Sequence, residues 1–194
     1  MKLVLSTGNK GKIREFSLAF GKLGYECISI KDICDVPEPD ETGSTFAENA
    51  RQKAEYYMKA CGLPCLADDS GLAVDALQGA PGIYSARYAG GHGDDAANNA
   101  KLIRALEQQD NADWSAHYVA ALCLAYPDGH CLETEASCDG TIVADPVGDG
   151  GFGYDPYFYV PQFEKTMAQL TLDQKETISH RGKAIRQLVS LLGQ

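Results

Sequence analysis

The sequence predicts an α/β protein with a mixed, partly antiparallel central sheet flanked by helices. Three observations predict it. Short apolar runs of strand length alternate with segments of helical period, Pro127-Asp128-Gly129 joins two strand-like runs in a hairpin, and the chain closes on a helical repeat. A doubly wound parallel sheet has no use for a hairpin, so the sheet is expected to be mixed.

In chain order, Lys2 to Ser6 reads as a short buried strand and Gly8-Asn9 as a turn. Ile13, Phe16, Phe20 and Leu23 then recur at helical spacing, and Tyr25 to Ile30 gives a second strand. The acidic, proline-containing stretch Asp35 to Gly43 reads as a surface loop. Thr45-Phe46-Ala47-Glu48 fits a capping box that opens a helix to about Cys61, with Gly62 as its stop. Pro64 to Ala67 reads as a short strand ending in the Asp68-Asp69-Ser70-Gly71 turn, and Leu72 to Leu77 as another extended segment before Gly79-Ala80-Pro81-Gly82. Asp94 or Asp95 can cap a helix carrying Leu102, Ile103 and Leu106. Trp114 to Tyr126 and His130 to Ser137 flank the hairpin turn. Gly148 to Gly153 forms a glycine-rich loop leading into an aromatic strand, Tyr154 to Val160. The last helix runs from about His180 to Leu192, with Ala184, Ile185, Leu188 and Leu192 on its core face.

Composition narrows the function classes. A formal net charge of −10 argues against a nucleic-acid surface, which needs a broad basic face. Any phosphate must therefore meet a local cationic site. Seven cysteines without a C-x-x-C pair, and no basic-then-apolar leader, read as reduced thiols of a cytoplasmic protein. No apolar run approaches the roughly 20 residues of a membrane helix.

Hydrolysis of a phosphoanhydride needs cations around the phosphates, carboxylates for a metal, and a group that orients or deprotonates water. Lys10 and Lys12 flank a strand-to-helix turn, where free backbone N–H groups and the helix dipole also favour an anion. The segment Thr7-Gly8-Asn9-Lys10-Gly11-Lys12 lacks the P-loop spacing, and read singly it is more often a plain turn with solvated lysines. Asp68 and Asp69 diverge unless the strand breaks there, and Gly71 makes such a break easy. Two carboxylates held close repel, and a divalent cation relieves that; oxygen-only ligands suit Mg²⁺. Alone, such a motif is more often an acidic turn capping the next element. Glu41, in the acidic loop, could add a ligand, and otherwise reads as surface charge. Lys175, His180 and Arg181 put basic groups before and at a helix N-terminus, against the dipole, where solvated charge is the plain alternative. Phe152 and Tyr154 could stack on a base, although aromatics beside a strand are more often core.

Six motifs in order resemble the inosine and xanthosine triphosphate pyrophosphatases that clear non-standard purine nucleotides. They are Thr7 to Lys12, Thr45 to Ala50, Ala67 to Leu72, Pro81 to Tyr88, Gly151 to Pro156 and Ser179 to Gly182. The resemblance spans residues 1–194 and implies one two-lobed domain, with the active site in the cleft between the lobes. It implies cleavage between the α and β phosphates with Mg²⁺, giving a nucleoside monophosphate and pyrophosphate, usually by a homodimer. It places phosphate contacts on Thr7, Gly8, Asn9, Lys10, Gly11 and Lys12, and metal binding on Glu41 and Asp69. Asp69 also takes the water-activating role, while Asp68 stands between metal ligand and support. Ser70, Phe152, Gly153, Tyr154, Asp155, Lys175, His180 and Arg181 become substrate contacts. The expected partner is a purine nucleoside triphosphate, with no nucleic acid and no membrane. A related pyrophosphatase acting on modified pyrimidine or other damaged nucleotides is the alternative.

Base choice has a physical basis within that resemblance. Hypoxanthine and xanthine carry a 6-keto acceptor and a protonated N1, whereas adenine carries a 6-amino donor and a bare N1. Arg181, with His180, is expected to donate to the keto oxygen, and Asp155 to accept from N1–H. Adenine would leave both groups unpaired, a mismatch that can discriminate by about 10⁴-fold.

Overall fold

A computed structural model describes residues 1–91, 93–109 and 113–193. Seven strands form one sheet: β1 (Lys2–Leu5), β2 (Glu26–Ser29), β3 (Cys65–Val74), β4 (Ser115–Ala125), β5 (Cys131–Ile142), β6 (Phe158–Val160) and β7 (Lys165–Thr166). Their order is β2-β1-β3-β4-β5-β6-β7. The β1–β2 and β1–β3 pairs are parallel, and β5–β6 and β6–β7 antiparallel, so the sheet is mixed as the sequence predicts. The helices are α1 (Lys10–Gly21), α2 (Phe46–Cys61), α3 (Asp95–Glu107), α4 (Leu172–Ile178) and α5 (His180–Leu192). Among the described residues no helix is long and apolar enough to cross a membrane.

The chain divides into two compact units. The first comprises Met1–Asp69, Ala120–Ala136 and Lys183–Gln194; the second comprises Ser70–Val119 and Ser137–Gly182. In the first unit, alternate strand residues enter separate cores, as the two-residue strand period requires. Leu3, Leu5, Leu66 and Leu122 pack with Phe16 and Phe20 of α1 and Ala184, Ile185 and Leu188 of α5. Val4, Cys65, Ala67 and Cys123 pack instead with Ala50, Ala54, Tyr57 and Met58 of α2. Strands buried on both faces read as continuous apolar runs, which is why Leu3-Val4-Leu5 does so. The second unit has one core, in which Leu72, Val74, Leu102, Leu106, Tyr118, Tyr154, Phe158 and Ile178 meet.

Helix ends follow their caps. Asn9 caps α1, Thr45 caps α2 through the Glu48 N–H, and Asp94 caps α3 through the Ala97 N–H. Gly62 ends α2 at φ +67°, where a side chain is strained. Glu48 reaches back past the cap to Ser44, whose N–H and hydroxyl both donate to it at 2.7 Å.

Two expectations need correction. Asp68 to Gly71 is not a turn, because β3 runs unbroken from Cys65 to Val74. With β1 on one side and β4 on the other, sheet pairing overrides the turn chemistry of Asp-Asp-Ser-Gly. The aromatic strand begins at Phe158 rather than Tyr154, since the Tyr154 carbonyl accepts from the Tyr157 and Phe158 N–H groups and closes a turn. A capped helical turn, α4, precedes α5; Thr171 and Gln174 form its reciprocal capping box.

Candidate functional site

The first cluster lies in the first unit, where β1 passes into α1. Asn9 Oδ1 accepts from the N–H groups of Gly11 (2.9 Å) and Lys12 (3.1 Å), and Thr7 Oγ1 accepts from Asn9 N–H (3.1 Å). The loop thus consumes several of the amides that sequence alone leaves for an anion. The N–H of Lys10, first residue of α1, has no intrahelical acceptor, and the helix dipole adds to its pull. Ser29 Oγ donates to the Thr7 carbonyl at 2.9 Å, tying the loop to the end of β2. Beside it lies a cavity of about 360 Å³ lined by Ser6, Thr7, Gly8, Lys31, Cys34 and Tyr57, among others. Lys31 lies so close over Gly8 that a β-carbon there would stand 2.7 Å from its Cε.

Because β3 stays extended, successive side chains go to opposite faces. Asp68, 4% exposed, pairs with Lys12 on α1 at 2.8 Å. Asp69 accepts from Asn49 Nδ2 on α2 at 3.1 Å. Fully buried Asn49 also accepts from the Gly43 N–H at 2.8 Å, so one amide links the acidic loop to Asp69. One turn further along α2, Lys53 forms an ion pair with Glu41 and donates to the Asp68 carbonyl at 3.4 Å. Burial works to lower the Lys53 pKa, but Glu41, Asp69 and Asp68 together raise it, so the ammonium is firmly charged.

Among the described residues no three His, Cys, Asp or Glu side chains gather into a metal-holding group. The donors around Lys53 do suit a hard cation: the Glu41 carboxylate and the Asp68 carbonyl already bond to its ammonium, and Asp69 stands close enough to stabilise it. All seven cysteines are free thiols, as expected.

The second cluster lies in the second unit around Asp155, which is 7% exposed. Asp155 Oδ1 accepts from the Tyr118 hydroxyl at 3.1 Å. Its Oδ2 accepts from Lys175 Nζ at 2.9 Å and from the Phe152 N–H at 3.3 Å. Gly151, at φ +81°, lies against this pair, and a β-carbon there would collide with the carboxylate and the ammonium. His180 stacks on Tyr118 with ring centres 5.0 Å apart and planes 13° from parallel. Arg181 Nη2 donates to Ser70 Oγ at 3.3 Å. Ser179 accepts from the Gly182 N–H at 3.1 Å and so caps α5, setting His180 and Arg181 in its first turn.

The glycine-rich loop is held by α3. Asp95 accepts from the Gly153 N–H at 2.8 Å, and Asn99 donates to the Gly153 carbonyl at 2.9 Å. Tyr154 is a core residue, 5% exposed, with its hydroxyl given to the Ser85 carbonyl at 2.8 Å, so its ring face is closed to stacking. Phe152 is 71% exposed and keeps an open face. Gln169 accepts from the Thr166 N–H at 2.9 Å and serves a turn.

Sequence reasoning missed Asn49, Lys53, Asp95, Asn99 and Tyr118. A signal existed for two pairs: Asn49 and Lys53, and Asp95 and Asn99, each stand four residues apart on one helix. A buried asparagine in the apolar stripe of Ala50, Ala54 and Tyr57 also calls for a polar partner. Tyr118 gave no sign beyond strand periodicity.

A mixed α/β sheet carrying a lysine- and carboxylate-rich strand-to-helix junction defines a protein suited to handling phosphates. The chain belongs to the Ham1 family, whose model matches residues 3–191. It is 47% identical over 192 residues to a dITP/XTP pyrophosphatase of Desulforamulus reducens, covering 99% of this chain and 96% of that one. A protein of the same name from Thermus thermophilus is 50% identical over 189 residues, covering 97% and 90%. Among solved structures, the Staphylococcus aureus Ham1 protein superposes with a TM-score of 0.93 at 43% identity, covering 100% of this chain and 98% of that one. A HAM1 protein from Coxiella burnetii gives 0.95 at 41% identity, with the same coverage.

Proposed function

We propose that this protein hydrolyses non-standard purine nucleoside triphosphates of the inosine and xanthosine type, ribose or deoxyribose, to the monophosphate and pyrophosphate. Such an activity keeps deaminated purines out of DNA and RNA. The observation that carries it is 47% and 50% identity, over nearly the whole chain, to relatives named dITP/XTP pyrophosphatase.

The residues divide the work by chemistry. Lys10, Lys12 and the α1 N-terminus receive the triphosphate, and Asp68 holds Lys12 in place. Asp69 orients a water and takes its proton for in-line attack, with Asn49 fixing the carboxylate. Glu41 and Asp69 would hold Mg²⁺, which when bound neutralises phosphate charge. Lys53 pairs with Glu41 at that centre and contends with the cation for its oxygens. Arg181 and His180 donate to the 6-keto oxygen, Asp155 accepts from N1–H, and exposed Phe152 covers the base. The same reading makes the protein a cytoplasmic homodimer acting on free nucleotides.

A panel of ITP, dITP, XTP, ATP, GTP and a modified pyrimidine triphosphate, assayed for pyrophosphate and for orthophosphate, tests this. Preferential pyrophosphate release from the first three is expected. Preference for the pyrimidine, or orthophosphate as the product, would overturn it.

A further inference from the structure

Asp155 is the proposed reader of N1–H, and its value as a reader depends on its being an acceptor and nothing else. A carboxylate offers about four lone-pair positions. Tyr118 hydroxyl, Lys175 ammonium and Phe152 N–H fill three of them, leaving one for a ligand. If that carboxyl took up a proton it would become a donor, and a donor pairs with the bare N1 of adenine. Asp155 is only 7% exposed, and the donors already in place fix its role as an acceptor.

Lys175 supplies charge to Oδ2, while Oδ1 depends on Tyr118. The phenol is a dependable donor: burial above all, and then the neighbouring Asp155 charge, raise its pKa well above the ordinary value of 10.0. The same ring stacks on His180 at 5.0 Å and leans on Phe158 at 4.5 Å, so it cannot swing away. We infer that Tyr118 is a specificity-determining positioning residue: its hydroxyl commits Asp155 to accepting the N1–H hydrogen bond, and its ring sets the His180 imidazole, so rejection of 6-amino purines depends on it. The inference rests on the proposed reaction and on the proposed role of Asp155. The titratable and charged groups facing this pair are Lys175 from α4, Tyr154 from the preceding turn, Asp95 from α3 and His180 from α5.

Tyr118→Phe removes the hydroxyl and keeps the ring. The experiment measures kcat/KM for ITP and ATP, by pyrophosphate release, with Tm as the check on folding. The ITP-to-ATP ratio is expected to fall roughly 10- to 100-fold, from loss of one hydrogen bond to a charged group. Asp155→Asn, whose amide can donate to N1, is expected to shift the ratio the same way and stands in if Tyr118→Phe folds poorly. An unchanged ratio in Tyr118→Phe, with wild type still selective, overturns the inference and leaves the reaction standing. Wild type that cleaves ATP as readily as ITP overturns the base-reading role itself, and the inference with it.

Discussion

Asp68 and Asp69 are adjacent in β3, yet they bond to different helices: Asp68 to Lys12 of α1 at 2.8 Å, and Asp69 to Asn49 of α2 at 3.1 Å. The two-residue strand period separates them, and with them two tasks. One carboxylate is buried as the anchor of a lysine, and the other stays partly exposed with an amide steering it.

Loss of the anchor's partner should cost stability. In Lys12→Met the Asp68 carboxylate, 3% exposed, loses its counter-charge, while the lysine itself was 26% exposed. Urea unfolding at neutral pH should show a loss of about 2–3 kcal/mol, discounted from fully buried pairs for that exposure. Adding Asp68→Asn to Lys12→Met should recover much of it. Additive losses in the double variant would contradict the pairing.

Asn49 predicts a kinetic effect instead. Asn49→Ala removes the amide that bonds both Asp69 and Gly43, so kcat for dITP should fall roughly 10- to 100-fold. Turnover within about twofold of wild type would show that Asp69 needs no such steering.

A divalent cation held by Glu41 and Asp69, as proposed, would compete with Lys53 for the same oxygens. Lys53→Met removes a positive charge beside Glu41, so Mg²⁺ titration of activity should show tighter binding together with a lower kcat. Weaker Mg²⁺ binding in this variant would show that the ammonium organises the centre rather than opposing a second cation.

His117, bonded to Asp139 and Asp75, offers a separate pH test. Hydrogen bonding to Asp139 raises its pKa above the ordinary 6.5, partial burial opposes, and Asp75 adds to the rise. A raised folded-state value means this stabilisation is fully present below about 6.5 and fades as pH climbs through the folded value. The urea midpoint should therefore drop across that window in wild type and less so in His117→Ala. Equal slopes would remove His117 from the pH response.

These relationships show what could be read in the residue order. Local signals were enough for Thr45, Asp94, Gly62 and the bounds of α5, because caps and helical periods lie within a few residues. Asp68-Asp69-Ser70-Gly71 misled, since turn propensity is a local property while β3 is held by neighbours from other parts of the chain. Tyr118 was invisible for the same reason: its partners Asp155 and His180 lie 37 and 62 residues further on. Family-like motifs marked the charged groups, but only the fold shows which neighbours orient them.

The most direct test is to incubate wild type and Asp69→Asn with dITP and Mg²⁺ and to separate the products by ion exchange. The predicted result is dIMP and pyrophosphate in equal amounts from wild type, with turnover at least about 10³-fold lower in a normally folded Asp69→Asn. Deoxyinosine diphosphate with orthophosphate, or full activity in Asp69→Asn, would contradict the assignment.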